Sequence, residues 1–521
     1  MSTSAEAPSP GNGRTITTNI PARLDRLPWS RWHWTIVIGL GTVWILDGLE
    51  VTVVGNIAGR LSEPGSGLAI SSGQITGMAA ALYVAGACAG ALFWGRLTDR
   101  FGRKNLFMIT LAVYLAATAL TAVSFAPWWF FLFRFLTGFG IGGEYAAINS
   151  AIDELIPAKY RGRVDLMING SFWLGAVGGS LLSIVALNTN LLPANLGWRL
   201  TFALGAVVAL VILLVRRHVP ESPRWLLIHG RDREAEEIVT GIEQRIEAEQ
   251  GEPLAAPEGE LEIHQRKEIR FLEIARTIFA DYPKRATLGF SLFIGQAFLY
   301  NAITFGFGAI LTKFFHVPAD HTGYYFAVIA IGNFCGPLLL GKLFDTVGRR
   351  AMISSTYLLS GLLLFGTAWL FDRGSLSAST LTACWCAVLF FASAGASSAY
   401  LTVSEIFPME TRAMSIAFFY ALGTAAGGIS GPLLFADLTN TGKVGDTVLA
   451  FQIGATLMCL AGLVAAALAV RAEGRSLEDI ARPLSAAANK AKTATRNARA
   501  AGSTRGGGRQ GPTAPPAASR P

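Results

Sequence analysis

Four charged residues lie inside long apolar stretches: Asp47 and Glu50 in the first, Arg134 and Glu144 in the fourth. A charge at the centre of a membrane-spanning helix costs about 2.5–3.5 kcal/mol on the insertion scale, so such residues face the protein interior or water. A carboxylate held there can exchange protons, because burial favours its neutral form and a nearby arginine favours its charged form. If the first helix starts on the inner side near residue 34, a rise of 1.5 Å per residue sets Asp47 about 20 Å deep and Glu50 about 24 Å. The fourth helix runs the other way, and the same rise sets Arg134 about 25 Å from the inner face. Glu50 and Arg134 therefore share a level, with Asp47 one turn below. The chemistry expected is proton coupling: Asp47 and Glu50 take the proton, and Arg134 tunes them or pairs with an anionic substrate and frees Glu50. A permanent ion pair holding two helices together is the structural alternative. Glu144, in the inner half of its helix, is either a second proton stop or a latch to basic loops.

A second group could hydrogen-bond a substrate. Gln296, Tyr300 and Asn301 occupy the seventh apolar stretch, flanked by Gly295, Gly306 and Gly308. The glycines predict a broken helix at that point, as in many transporter binding helices. Interhelical hydrogen bonding is the alternative use of the amides. Asn169, Trp173, Asn333 and Tyr400 are further candidates, for which packing or the aromatic belt is an equal reading.

A third group is a repeat. Gly95-Arg-Leu-Thr-Asp99-Arg100-Phe-Gly102-Arg103-Lys104 recurs as Gly341-Lys-Leu-Phe-Asp345-Thr-Val-Gly348-Arg349-Arg350, 246 residues on. Glu154-Leu-Ile-Pro-Ala-Lys-Tyr-Arg161 recurs as Glu405-Ile-Phe-Pro-Met-Glu-Thr-Arg412, 251 residues on. Asp99 and Asp345 are placed to cap a neighbouring helix N-terminus. The arginines can bridge to Glu154 and Glu405 and close one end of the molecule. Topology alone is the alternative, since positive loops direct insertion in any case.

The elements that must position these groups are spanning helices. Of 521 residues, 52% are hydrophobic and 15% charged, against about 25% charged in globular chains. That is too little charge to cover soluble domains. Apolar stretches of about 20 residues, the length that crosses a bilayer core, recur twelve times: 33–58, 73–95, 105–125, 127–150, 167–188, 197–217, 287–312, 322–342, 350–371, 379–402, 412–436 and 446–470. Lysine and arginine concentrate in alternate loops, which places both termini in the cytoplasm. The expected fold is all-α integral membrane, with twelve transmembrane helices in two pseudo-symmetric six-helix bundles. The expected domains are a cytoplasmic N-terminal segment (1–32), a first bundle (33–217), a cytoplasmic segment (218–286), a second bundle (287–471) and a basic disordered tail (472–521). Short amphipathic helices are expected between His229 and Gln250.

On these residues the chain resembles the major facilitator superfamily of secondary transporters. The repeated loop is that superfamily's signature. Pro220-Glu-Ser-Pro-Arg-Trp-Leu226 resembles a segment of sugar porters and organic-ion transporters. Gly142-Gly143-Glu144 is similar to the fourth helix of metabolite:proton symporters and nicotinate-type carriers, and Asp47-Gly-Leu-Glu50 to the D-G-x-D of aromatic-acid:proton symporters. Gln296 and Asn301 keep a sugar-porter spacing, but Gly295 and Phe305 depart from it, which argues against a hexose. The resemblance implies alternating access and a small-molecule substrate.

The function expected is proton-coupled symport of a small organic acid or related metabolite across the cell membrane. A sugar or polyol porter, or a non-transporting nutrient sensor on the same fold, are the alternatives. Expected partners are substrate, protons and lipid, with a monomer and no nucleic acid. No phosphate-binding loop, nucleophile–base constellation or metal-spaced cluster appears, so no enzyme activity, cofactor or metal is expected. Five cysteines lie within apolar runs and read as small buried thiols.

Overall fold

A computed structural model describes residues 15–481 except 62, 64, 69, 71–73, 190, 217–220, 258, 265–275, 319–320 and 409–410. The expected disordered stretch beyond 481 and Pro220 lie outside the described residues. The first half runs α1 (Ile20–Asp25), α2 (Arg31–Leu61), α3 (Ala80–Phe101), α4 (Arg103–Ala122), α5 (Pro127–Leu155), α6 (Arg161–Gly170), α7 (Phe172–Ala186) and α8 (Ala194–Arg216). Then come α9 (Pro223–Ile228) and α10 (Asp232–Gln250). The second half runs α11 (Pro283–Phe315), α12 (Thr322–Thr346), α13 (Arg349–Asp372), α14 (Ala378–Ile406), α15 (Arg412–Asn440), α16 (Val444–Leu468) and a short α17 (Leu477–Ile480).

Eleven spans among the described residues are long and apolar enough to cross a membrane, with α6 and α7 forming one of them. The twelfth is α5, 29 residues long. It carries Arg134, Glu144, Asp153 and Glu154. The protein is therefore an all-α, multi-pass membrane protein of twelve spanning helices. Its outer surface is apolar, with Phe93, Leu181, Val207, Leu339 and Leu463 more than half exposed, as lipid contact requires. The charges within the spans, Asp47, Glu50, Arg134 and Glu144, are buried.

Local chemistry sets the helix ends. Pro127, Pro223 and Pro283 open their helices, where a missing N–H costs nothing. Gly102 and Gly348 turn α3 into α4 and α12 into α13 at φ of 96° and 111°. That left-handed backbone is open to glycine and strained for other residues, which explains the second glycine of the repeated motif. The break expected in the seventh span is absent: α11 is one continuous helix of 33 residues. Gly295 and Gly306 serve packing instead, while Gly308 borders open space. A Cβ on Gly306 would overlap the Phe435 ring, and one on Gly295 would crowd Ala461 and Leu457.

The halves meet where α3 lies against α15, where α6 and α7 lie against α12, and where α5 and α6 touch α14. The polar segment between them folds against the N-terminus. A strand Thr15–Thr18 pairs antiparallel with Leu261–His264. Between His229 and Gln250 there is one 19-residue helix, α10, which buries Ala235, Val239, Ile242 and Ile246, spaced three to four residues apart as on one helix face. Arg23 bridges its Glu236 and Glu243, and Arg26 also reaches Glu243 at 2.5 Å.

Burial pushes the Glu243 carboxyl up, but the hydrogen bonds from Arg23 and Arg26 outweigh it and hold the pKa low. A depressed carboxyl contributes stability that is present above the unfolded-state pKa and lost as pH falls through the folded one. Arg23→Gln is therefore expected to lower the melting temperature at neutral pH, by an interaction of about 1–2 kcal/mol. The difference from wild type should vanish in acid, which differential scanning fluorimetry against pH checks.

Candidate functional site

Asp47 and Glu50 stand three residues apart on α2 and share its inward face. Both are 1–2% exposed, as is Arg134. Arg134 Nη1 donates to Glu50 Oε1 at 2.5 Å, and Thr118 Oγ1 donates to Glu50 Oε2 at 3.0 Å. Asp47 is held differently: the Tyr83 and Tyr145 hydroxyls donate to its two oxygens at 2.5 Å each. The Arg134 guanidinium also lies 4.7 Å over the Tyr83 ring. One carboxylate thus has a cation and the other has only phenols, so the cluster carries one uncompensated negative charge when both are ionised.

Small residues make this closeness possible. A Cβ on Gly86 or Gly90 of α3, or on Gly138 or Gly142 of α5, would overlap the facing helix backbone. The two helices therefore run in backbone contact, a packing suited to membranes, and Tyr83 and Arg134 come together as a result.

Toward the second half the cluster is walled by aromatic rings. Trp44 stacks on Tyr145 at 4.6 Å, and Tyr145 meets Tyr420 edge-on at 4.7 Å. Tyr400 closes on Trp44 at 5.8 Å and on Phe293 at 5.0 Å. Trp173 of α7 faces Tyr300 of α11 at 5.4 Å. The Tyr300 hydroxyl donates to Asn333 Oδ1 at 2.9 Å. Asn301 Nδ2 donates to the Ala297 carbonyl at 2.7 Å, and Gln296 is buried nearby on the same helix.

The structure therefore brings Trp173, Tyr300 and Asn333 together across the two halves. Tyr400 joins the Asp47 wall. Asn169 is tied to Asn149 Oδ1 at 3.0 Å. Glu144 is wholly buried, ten residues along α5 from Arg134, or about 15 Å of helix.

The end bearing the basic loops is closed by a buried charge network. Arg161 reaches Glu405 at 3.6 Å, Asp25 at 3.6 Å and Asp153 at 3.9 Å. Arg412 reaches Asp153 and Glu154 at 3.8 Å each. Arg349 binds Glu405 through Nε at 3.0 Å and Asp345 through Nη1 at 2.8 Å. Asp345 accepts from the backbone N–H of Gly162 and Arg163, at 3.0 and 2.8 Å, in the first turn of α6. Gly341 lies against Arg163 of that turn. The Ser222 hydroxyl donates to Glu154, and Arg224 bonds the Glu154 carbonyl at 2.7 Å.

In the first motif copy, Gly95 is buried and Gly102 packs on Glu221 and Trp225. The side chains of Asp99, Arg100 and Arg103 lie outside the described residues.

Sequence reasoning missed several members. Tyr145 carried a usable signal, since it lies eleven residues, about three turns, from Arg134 on one helix face. Asp165 was read as loop because the fifth span was expected from residue 167, whereas the helix begins at Arg161. Arg224 belongs to the Pro220–Leu226 motif, whereas Asp25, Asp153, Tyr83, Thr118 and Trp44 carry no distinguishing spacing.

The sugar (and other) transporter family model matches residues 61–484. The niacin transporter NiaP of Acinetobacter baylyi is 28% identical over 466 residues, 89% of this chain and 99% of that protein. The 4-hydroxybenzoate transporter PcaK of Pseudomonas putida is 24% identical over 460 residues, 87% of this chain and 97% of that one. Among solved structures, the major facilitator superfamily proton:xylose symporter XylE, bound to 6-bromo-6-deoxy-D-glucose, shares the fold. Its TM-score is 0.69 at 18% identity, covering 86% of this chain and 98% of that one.

Proposed function

Because this chain belongs to the sugar (and other) transporter family of major facilitator membrane transporters, we propose that it couples protons to the movement of a small aromatic carboxylic acid by alternating access. The observation that carries this reading is the buried Asp47–Glu50–Arg134 group, with Asp47 held by phenols alone.

Asp47 and Glu50 share the proton duty. A substrate carboxylate competes with Glu50 for Arg134, and the freed Glu50 then takes a proton rather than remain an unpaired buried charge. Trp44, Tyr145, Tyr400 and Tyr420 offer flat faces to a ring. Gln296, Tyr300, Asn301, Asn333 and Trp173 bind its polar edge from the second half, and Asn169 binds from α6. Niacin and 4-hydroxybenzoate, in the names of two relatives, are planar aromatic acids.

The basic end and both termini face the cytoplasm in this reading, which the lysine and arginine bias of alternate loops supports. The domain limits follow: bundles at 33–217 and 287–471, and cytoplasmic segments at 1–32, 218–286 and 472–521. The network of Arg161, Arg412, Arg349, Glu154, Glu405 and Asp345 is the cytoplasmic gate, with Asp99, Arg100 and Arg103 the matching charges of the first motif copy.

Binding by purified protein tests the substrate class. Calorimetry should detect nicotinate or 4-hydroxybenzoate and not xylose. Trp44→Ala should weaken binding by about tenfold, the scale of one lost aromatic stack. Xylose binding without aromatic acid would favour the second reading, a sugar or polyol porter, for which the fold of XylE and the amides of α11 speak. Ligand binding with no flux in liposomes would favour a nutrient sensor.

A further inference from the structure

Between Asp47 and the gate, two polar ladders run side by side inside the protein. On α5, Tyr145, Asn149 and Asp153 recur every four residues. On α6, Asn169, Asp165 and Arg161 do the same in the opposite direction. The rungs connect. Tyr145 donates to Asp47 at 2.5 Å, and Asn149 Nδ2 donates to the Tyr145 carbonyl at 2.7 Å. Asn169 Nδ2 donates to Asn149 Oδ1 at 3.0 Å and to the Asp165 carbonyl at 2.9 Å. Arg161 Nε lies 3.9 Å from Asp153. All six ladder residues are buried. Eight residues of α5 cover about 12 Å, from the Asp47 level to the gate.

Asp165 is the unusual member. It is wholly buried, neither carboxylate oxygen has an ion-pair partner among the described residues, and its polar neighbour is the Asn169 amide one turn along the same helix. The charged and titratable groups that act on it are Asp153 on α5, Glu405 and Tyr400 on α14 and Arg349 on α13. The gate arginines are already engaged: Arg161 with Asp25, Asp153 and Glu405, Arg349 with Glu405 and Asp345, and Arg412 with Asp153 and Glu154. An ionised carboxylate left dry with an amide and no cation beside it costs several kcal/mol. As a neutral acid, Asp165 avoids that cost until water reaches it.

We infer that Asp165 is a second proton site, filled while the gate is closed and emptied to cytoplasmic water when the gate parts. This rests on the proton-coupled reading above. When the gate parts, Asp165 first gives its proton to cytoplasmic water, and the carboxylate so formed then takes up the proton that leaves the Asp47 carboxyl through water admitted along the asparagine wall. That proton then passes from Asp165 to the cytoplasm. Asn149 and Asn169 line the route and carry no proton themselves. Opening the gate thus releases one proton at Asp165, and high pH favours the open form.

Electron–electron distance measurement tests this without any substrate. Spin labels are placed at Lys159→Cys and Thr346→Cys, exposed positions at the basic ends of the two halves, in a full-length chain whose five native cysteines are replaced by serine. Wild type in nanodiscs should lose the short-distance population as pH rises, by up to about tenfold per pH unit, the limit for one proton. Asp165→Asn should stay in the short-distance form at every pH, and Asp165→Glu should restore a titration. A wild-type distance independent of pH, or an Asp165→Asn curve that follows wild type, overturns the site. Asp47→Asn separates the two claims. If it flattens the curve and Asp165→Asn does not, the midplane coupling stands and the Asp165 site fails. If Asp165→Asn alone flattens it while uptake proves independent of protons, the site stands and the coupling fails.

Discussion

Glu50→Gln is expected to abolish proton-driven accumulation of substrate and to destabilise the protein. The stability loss follows from burial. Arg134 is about as inaccessible as Glu50, and its Nε already lacks an acceptor among the described residues. Removing its carboxylate strands a buried guanidinium, a change that costs about 3–5 kcal/mol. Glu50→Gln combined with Arg134→Gln removes both charges and should recover most of that stability, because two neutral partners leave no stranded ion. The double variant separates two roles. If the pair only joined α2 to α5, the double variant would accumulate substrate as wild type does. If the pair couples protons, the double variant should fold and fail to concentrate substrate, whose carboxylate has lost its cation as well. Thermal unfolding and liposome uptake, measured on the same preparation, distinguish these outcomes.

The second large effect belongs to the gate. Arg412 lies between Asp153 and Glu154 of the opposite half, and all three side chains are buried. Arg412→Gln leaves two carboxylates with one cation fewer, again a loss of about 3–5 kcal/mol. The loss falls on the closed state alone, since the pairs exist only while the halves touch. A differential of that size shifts a two-state equilibrium by more than about 100-fold. Ser404, which is buried beside Arg412, reports it. A cysteine at 404 should be unreactive to a membrane-impermeant maleimide in the wild-type background and react readily with Arg412→Gln. Equal, slow reaction in both would mean that the ion pairs do not hold the gate.

The spans were legible because twenty apolar residues in a row have few other uses, and the mutual level of Glu50 and Arg134 was legible because antiparallel helices of constant rise can be measured by counting. The same counting could not reach Tyr83 or Thr118, which are ordinary residues on apolar helices until the glycines of α5 bring α3 and α4 against it. The α11 glycines misled for a related reason. Glycine permits a break and equally permits close approach, and only the position of Phe435 and Ala461 decides between them. Asp165 was hidden by a boundary: α6 begins at Arg161, inside the ion network, before the apolar run starts. Charge that is compensated by tertiary contacts resembles loop in a sequence. The first six residues of that span are readable as helix only once their partners are known.

The central claim is proton-coupled transport, and one measurement addresses it directly. Purified protein is placed in liposomes enclosing a pH-sensitive dye, and nicotinate or 4-hydroxybenzoate is added outside, with protein-free liposomes as the control for acids that cross lipid unaided. Protein-dependent internal acidification by an aromatic acid, lost in the Glu50→Gln, Arg134→Gln double variant, is the predicted result. Tracer uptake of the same acid with no protein-dependent change in internal pH would contradict it.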